Sequence, residues 1–543
     1  MLVHPHLPAL FAAAMAKTAH RELLGARAHR DWSWHSPEEV SAAVREVAAG
    51  LIAAGLQPGE RVGLISENRP EWVFTDFGAQ HAALVDVPVY PTLPADQTAF
   101  ILKDAQTKAV FVSNKAQAAK LRQGSASGIE HVFCFESNVD GTISFEELRR
   151  RGREHLAQDP TAVDRRVADL KPDSLATLIY TSGTTGEPKG VMLTHANFCH
   201  NVGQVLAALE QTFTFGYRAV SFLPLCHATE RLVTYAYLQA GMAIGYVSHV
   251  ERVADACEEL KPHLLVSVPG VLALIRSRIM ARIAKERPFK RGILERMLAW
   301  GSQDAERRAS LRPLTLWRRV RWAICDRILY RQLRARLGGQ LLAVIVGGAA
   351  LPVDLCRFFW GIGLPIIEGY GMTEASPVLA VNRYGRTRFG TVGPAIPGVD
   401  LSIAHDGEIL AKGPNVMLGY WNRPQETAET VRNGLLHTGD LGRIDQDGFL
   451  QITGRKKEIL VLSTGKNVAP RLIEDALAAS HFIKFAIAVG DGKPSVGVIL
   501  VPNIDAVRHW AEEQGLDEMD DDALLGLPQT NALFGAELSR LQA

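Results

Sequence analysis

The residues with most chemistry in them stand together in Leu178-Ile-Tyr-Thr-Ser-Gly-Thr-Thr-Gly-Glu-Pro-Lys-Gly-Val191. Thr181, Ser182, Thr184 and Thr185 bring hydroxyls, Gly183, Gly186 and Gly190 let backbone N–H groups approach an anion, and Lys189 adds a positive charge. That is equipment for holding phosphate. It is not the Gly-x-x-x-x-Gly-Lys-Ser/Thr loop of ordinary nucleotide hydrolases, because no glycine directly precedes Lys189. Three further groups follow the same logic: Gly347 and Gly348 after an apolar run, Glu368-Gly-Tyr-Gly-Met-Thr-Glu374 after another, and Leu436-His-Thr-Gly-Asp440. Glycine pairs at strand ends, with one aromatic and two carboxylates, suit a nucleotide base and a metal at the carboxyl edge of a parallel sheet.

These loops need rigid elements behind them. Leu175 to Tyr180 reads as a buried strand and Thr194 as the cap of a helix reaching Leu209, so the phosphate-handling stretch is expected to run from strand to helix. Upstream, a helix over Ser36–Leu56, strands at Arg61–Ile65, Val85–Tyr90 and Ala109–Val112, and helices at Pro70–Ala82 and ending at Leu102–Ala105 alternate as in a doubly wound α/β sheet. Leu341–Val346 reads as a further strand running into Gly347. Val233–Val250 is uncharged, yet Gln239, Gly241, Gly245 and His249 interrupt it, so it reads as a helix closed at Gly241 and then a strand rather than a bilayer crossing.

Composition narrows the class. A chain of 543 residues, 47% hydrophobic with formal net charge +1, has enough apolar text for more than one core, and nothing in its charge points to nucleic acid. Its six cysteines are scattered without a Cys-x-x-Cys pair, as in a reduced cytoplasmic protein. The first sixteen residues read as a helix rather than a secretory signal, lacking a leading basic region. From Lys285 to Arg336 the text turns basic, with Trp300, Trp317, Trp322 and Tyr330 interleaved. Two readings stand there: a solvated helical face, or an interfacial patch whose cations, Arg318, Arg319 and Arg321 among them, meet anionic headgroups.

Together the motifs, in order from about Ser36 to Pro502, resemble the adenylate-forming superfamily, and Phe222-Leu-Pro-Leu-Cys-His-Ala-Thr-Glu-Arg231 with Ser463-Thr-Gly-Lys-Asn467 is similar to its long-chain fatty acyl-CoA synthetases. The resemblance implies a large N-terminal α/β domain of stacked, mostly parallel sheets over 1–452 and a small α+β domain over 453–543. It implies ATP-dependent conversion of a long-chain fatty acid to acyl-AMP, then transfer to coenzyme A, with magnesium at Glu374 and Thr185. The cofactor contacts it implies are Thr181 to Gly186 and Lys189 at the phosphates, Gly347, Gly348, Ala349 and Glu368 to Met372 around the base, Thr373 at the α-phosphate, Asp440 at the ribose, and Arg455. Catalytic roles fall on Thr181, Lys189, His227, Thr373 and Glu374, with Lys457 as a hinge. On its residues alone, a lone histidine such as His227 is more often a structural residue than a catalytic one, and Glu230 with Arg231 reads as an ion pair.

The sequence departs from the family at Gly270, where arginine is common, at Val346, where serine is usual, and beyond Lys493, after which no lysine occurs. The usual late lysine being absent, the C-terminal domain reads as incomplete, and an adenylation-impaired binding protein is an alternative, as are an aryl- or medium-chain ligase and a fatty acyl-AMP ligase. Oligomeric state stays open, a homodimer included.

Overall fold

The computed structural model describes residues 4–18, 22–28, 31–124, 128–181, 187–210, 212, 214, 216–463, 467–478, 480–516 and 519–542. Ser182, Gly183, Thr184, Thr185 and Gly186 lie outside them, as do Thr464, Gly465 and Lys466. The chain divides into two compact units: 1–351 with 355–401 and 411–437, and 438–543 with 352–354 and 402–410.

The first unit holds two eight-stranded sheets. In one, Ile366–Gly371, Ala343–Val346, Leu264–Ser267, Arg218–Ser221, Ala243–Tyr246 and Leu24–Ala28 run parallel in that order, with antiparallel strands Val378–Val381 and Asp31–His35 at the ends. In the other, Leu175–Thr181, Val85–Val89, Arg61–Ile65, Thr107–Val112, His131–Cys134 and Ile143–Ser144 are parallel. Strands covered on both faces read as unbroken apolar text, and Val85–Val89 is buried at every position, including Asp86. Helices with good caps sit between them: Ser36 and Glu39 form a capping box on Pro37–Ala53, and Thr194 and Asn197 another on His195–Ala208.

One expectation is corrected here. The phosphate-handling stretch does not pass from strand to helix. A second strand, Lys189–Thr194, pairs antiparallel with Leu175–Thr181, placing Thr181 opposite Lys189 and Tyr180 opposite Gly190. The alternation of Val191 and Leu193 buries its inner face, which a window tuned to the Thr194 cap overlooks. Gly419–Tyr420 then adds to the outer edge of this hairpin. The uncharged Val233–Val250 stretch is a helix, Ala228–Gln239, a Gly241 in left-handed conformation (φ +66°) and a strand, Ala243–Tyr246. Among the described residues no helix is long and apolar enough to cross a membrane.

The neighbouring acid and base Glu230 and Arg231 do not pair as a simple couple. Arg231 reaches Asp76 (2.6 Å), Asp86 (2.9 Å) and the Tyr235 hydroxyl (2.7 Å), all fully buried. Glu230, also buried, accepts from Ser221 instead, and burial pushes its carboxyl up to about 8. The basic 285–336 region is helical, but its cations are not all presented outward. Arg318 and Arg321 turn in to Asp304 (2.6 and 2.9 Å), Tyr330 is buried, and Trp300 and Trp322 are half-buried against the second core cluster, leaving Trp317 as the exposed one of the four aromatics.

The second unit contains the antiparallel pairing of residues 440–444 with Leu450–Arg455, the helix Pro470–Ala478, a hairpin of Ile483–Val489 with Gly497–Pro502, and three helices over 504–542. Val507, Ala511 and Leu524 centre a small core. It is an α+β assembly.

Candidate active site

Within the first unit, two segments converge on the hairpin that carries Lys189. The turn Thr373–Ala375 packs on strand Lys189–Thr194, and Tyr420 lies at its edge. The Tyr420 hydroxyl donates to Glu374 Oε1 (2.7 Å), while Lys189 Nζ stands 5.5 Å from the centre of the Tyr420 ring and 3.9 Å from Glu426. Burial, then the Glu374 carboxylate, hold the Tyr420 phenol well above its ordinary range, so it stays a donor. The result is a buried carboxylate bonded to Tyr420, and a loosely paired ammonium across that tyrosine from it.

Side-chain amides pin this arrangement. Asn197, inside the capping box, donates to Pro414 O (2.8 Å) and Val416 O (3.0 Å). Asn201 exchanges two bonds with the Val378 backbone, and Asn415 donates to Ala375 O (2.7 Å). The Met417 N–H donates to Glu374 O (2.9 Å). Buried backbone groups left unpaired are costly, so these amides fix the Thr373–Val378 turn by completing its hydrogen bonds. Neither Tyr420 nor Asn197, Asn201 and Asn415 were among the residues picked from the sequence; Thr194-His-Ala-Asn197 carried a signal, read only as a helix start.

The glycine-rich edges fit close approach. Gly347 and Gly348 leave strand Ala343–Val346, and Gly348 is left-handed (φ +80°). A Cβ on Gly371 would fall 1.9 Å from the Pro377 carbonyl, so any side chain there would displace the Thr373 and Glu374 turn. Tyr370 and Met372 are half-buried beside it, Gly371 and Ala349 are exposed, and Thr373 is buried. Glu368 accepts the Leu351 N–H (3.3 Å), holding the Gly347–Leu351 loop to the next strand, which beside Gly369 gives it a structural task.

His227 caps helix Ala228–Gln239, its Nδ1 accepting the Thr229 N–H (3.2 Å). Burial lowers its pKa. A neutral ring accepting at Nδ1 carries its proton on Nε2. The preceding turn is clamped by Asn68, which donates to Leu223 O (2.7 Å) and accepts the Leu225 N–H (3.1 Å).

In the second unit Asp440 and Arg455 are register partners, with Arg455 Nε 3.1 Å from Asp440 Oδ1. Asp440 is buried, its N–H donating to the Thr438 hydroxyl (3.1 Å), and Gly439 donates to Glu408 (3.0 Å). Lys456 bridges Asp406 (2.6 Å) and Glu408 (3.0 Å), while Lys457 is exposed in the turn Lys456–Glu458. Lys493 sits in the loop joining the two hairpin strands, its carbonyl accepting the Ser463 N–H.

Comparison with known proteins then decides the family. The model of AMP-binding enzymes matches residues 11–421, and that of the AMP-binding enzyme C-terminal domain matches 457–522. The chain belongs to the AMP-binding enzyme family. Within it, the chain is of the fatty acyl-CoA synthetase branch: the long-chain-fatty-acid–CoA ligase FadD15 of Mycobacterium tuberculosis (strain ATCC 25618 / H37Rv) is 36% identical over 483 residues, 89% of this chain and 79% of that one. The Homo sapiens long-chain-fatty-acid–CoA ligase 1 is 29% identical over 515 residues, 90% and 72% of the two chains. Among solved structures, the anthranilate CoA ligase AuaEII in complex with anthranoyl-AMP superposes with a TM-score of 0.72 at 20% identity, covering 96% of this chain and 92% of that one. A Mycobacterium tuberculosis fatty acyl CoA synthetase gives 0.66 at 20% identity, covering 95% and 92%. These structural likenesses show the fold.

No group of three His, Cys, Asp or Glu side chains able to hold a metal ion occurs among the described residues. Magnesium does not require one. It keeps several waters and phosphate oxygens and takes one or two carboxylates, and Glu374 is a buried carboxylate that Tyr420 holds in place.

Proposed function

We propose that this enzyme activates a long-chain fatty acid with ATP, releasing pyrophosphate and forming acyl-AMP, and passes the acyl group to coenzyme A. The observation that carries the reading is Lys189 held loosely across Tyr420 from the buried Glu374, on a hairpin whose other strand ends at Thr181. A fatty carboxylate and an α-phosphate repel each other, so their reaction needs neutralised charge and in-line placement more than a strong base. Lys189, paired at only 3.9 Å, can turn to a phosphate oxygen at little cost. Thr181 and Thr373 bring hydroxyls to the same phosphates, Thr373 at the α-position. Glu374 is the residue that would hold magnesium, whose charge would offset that of the phosphates; Thr185, its proposed companion, lies outside the described residues.

The base takes the Gly347 to Ala349 turn and the Gly369 to Met372 edge, with Tyr370 as the stacking ring. Asp440 takes the ribose hydroxyls and Arg455 contacts the nucleotide. His227, neutral with its proton on Nε2, donates to the fatty carboxylate. The second unit turns about Lys457 between adenylation and thioester formation. Contact of the 285–336 region with a membrane belongs to the same reading, since the substrate partitions into bilayers.

Coupled assays test this. Palmitate, magnesium-ATP and coenzyme A should give pyrophosphate and palmitoyl-CoA in equal amounts. Pyrophosphate that appears equally without palmitate would overturn it.

A further inference from the structure

Helix Leu316–Cys325 continues through a π turn, Asp326–Tyr330, into Arg331–Ala335; it buries Cys325, Leu329 and Tyr330 and carries a second apolar stripe on its outer side. The side facing out carries Leu316 (78% exposed), Trp317 (70%), Val320 (44%), Ile324 (53%) and Ile328 (50%). The spacing of 316, 320, 324 and 328 makes one continuous stripe. Beside the buried side, the half-exposed Arg318 and the less exposed Arg321 both reach in to Asp304, itself 1% exposed. Trp322 locks the same side: its indole N–H donates to Gly361 O (3.1 Å) and the Arg308 guanidinium lies 3.9 Å from its ring centre.

A helix that buries Cys325, Leu329 and Tyr330 and also ties two arginines to a buried carboxylate is not loosely seated. Two guanidiniums meeting one buried carboxylate set its rotation, because turning it would leave Asp304 as an uncompensated buried charge. The stripe is therefore held outward by the fold. Its surroundings say what covers it: Arg319, Arg327 and Arg331 stand exposed on the same helix. An apolar stripe holding a tryptophan and rimmed by cations matches the headgroup–acyl boundary of an anionic bilayer.

We propose that Leu316, Trp317, Val320, Ile324 and Ile328 insert into an anionic lipid surface and seat the enzyme there by apolar contact, the arginines serving as rim rather than as the main attachment. This rests on the proposed membrane contact and names its face. It also replaces the arginine-led picture drawn from sequence, in which Arg318 and Arg321 met headgroups.

The test uses the full chain and vesicles of phosphatidylcholine with phosphatidylglycerol. Wild type should co-sediment, and raising salt from about 0.1 to 1 M, which shortens the screening length from about 10 to 3 Å, should weaken binding no more than a few-fold. Trp317→Glu with Ile324→Glu should cut binding at least tenfold while leaving octanoyl-CoA formation from soluble octanoate unchanged. Brominated acyl chains should quench tryptophan emission in wild type, and Trp317→Phe should remove that quenching without releasing the protein. Binding abolished by 1 M salt, full binding by the double variant, or no vesicle binding together with a dimer that the double variant dissolves would each overturn the proposal. Loss of acyl-CoA formation in wild type would strike the proposed reaction and leave the vesicle result standing.

Discussion

Arg231 and Lys189 are both cations on the inner face of the first unit's elements, and they are treated differently. Arg231 is wholly buried and committed, with Asp76, Asp86 and Tyr235 all within 2.9 Å. Lys189 has an ion pair of 3.9 Å and an aromatic face. A charge that holds a scaffold together is saturated by its neighbours, whereas a charge kept for a substrate is left underused until the substrate comes. Pairing distance thus separates architecture from chemistry where residue type cannot.

The contrast can be broken most sharply at Arg231. Arg231→Met leaves Asp76 and Asp86 as buried charges without their partner and should cost about 3–5 kcal/mol, read as a lowered denaturant midpoint. Lys189→Met, by comparison, should leave that midpoint within about 0.5 kcal/mol of wild type. Acid should expose the scaffold next. Burial lowers His81 to about 4 and His195 to about 3 from an ordinary 6.5. Between those values the unfolded chain binds protons that the folded chain refuses. Stability is therefore full above 6.5 and falls on acidification by up to about 1.4 kcal/mol per pH unit for each histidine. Urea midpoints measured at steps across this range check it, and His81→Leu should flatten the slope.

Other effects lie on the substrate side and leave stability alone. Asp440→Ala should weaken ATP binding, each hydroxyl bond to a charged acceptor contributing about 1.5–3 kcal/mol, with calorimetric titration as the readout; unaltered affinity would remove the ribose assignment. Tyr420→Phe removes one donor from the Glu374 carboxylate and should slow pyrophosphate release by about tenfold, near 1.4 kcal/mol, with little change in stability.

Much of this was legible in the text. Arg61–Ile65, Pro70–His81 and Val85–Val89 appear where periodicity puts them, and Gly241 closes its helix. What escaped shares a physical cause. Arg231 sits next to Glu230 but pairs with residues 145 and 155 positions away, and Tyr420 meets Glu374 across 46. Local patterns carry propensity, not partners. The strand Lys189–Thr194 is short and hidden between two stronger signals, a glycine loop and a cap. Over 285–336 the basic text with its interleaved aromatics was legible, but composition does not say which arginines turn inward; only Asp304, contributed by another helix, decides that for Arg318 and Arg321. Ser182 to Gly186, the densest chemistry in the sequence, lie outside the described residues.

The measurement that bears most directly on the Lys189, Tyr420 and Glu374 arrangement follows two half-reactions in wild type and Glu374→Gln. One is palmitate-dependent pyrophosphate release from magnesium-ATP; the other is palmitoyl-CoA formation from synthetic palmitoyl-AMP and coenzyme A. If these residues serve adenylation, the substitution lowers the first by about 10²–10³ and spares the second within a few-fold. Wild-type pyrophosphate release in Glu374→Gln, or equal loss of both half-reactions, would contradict it.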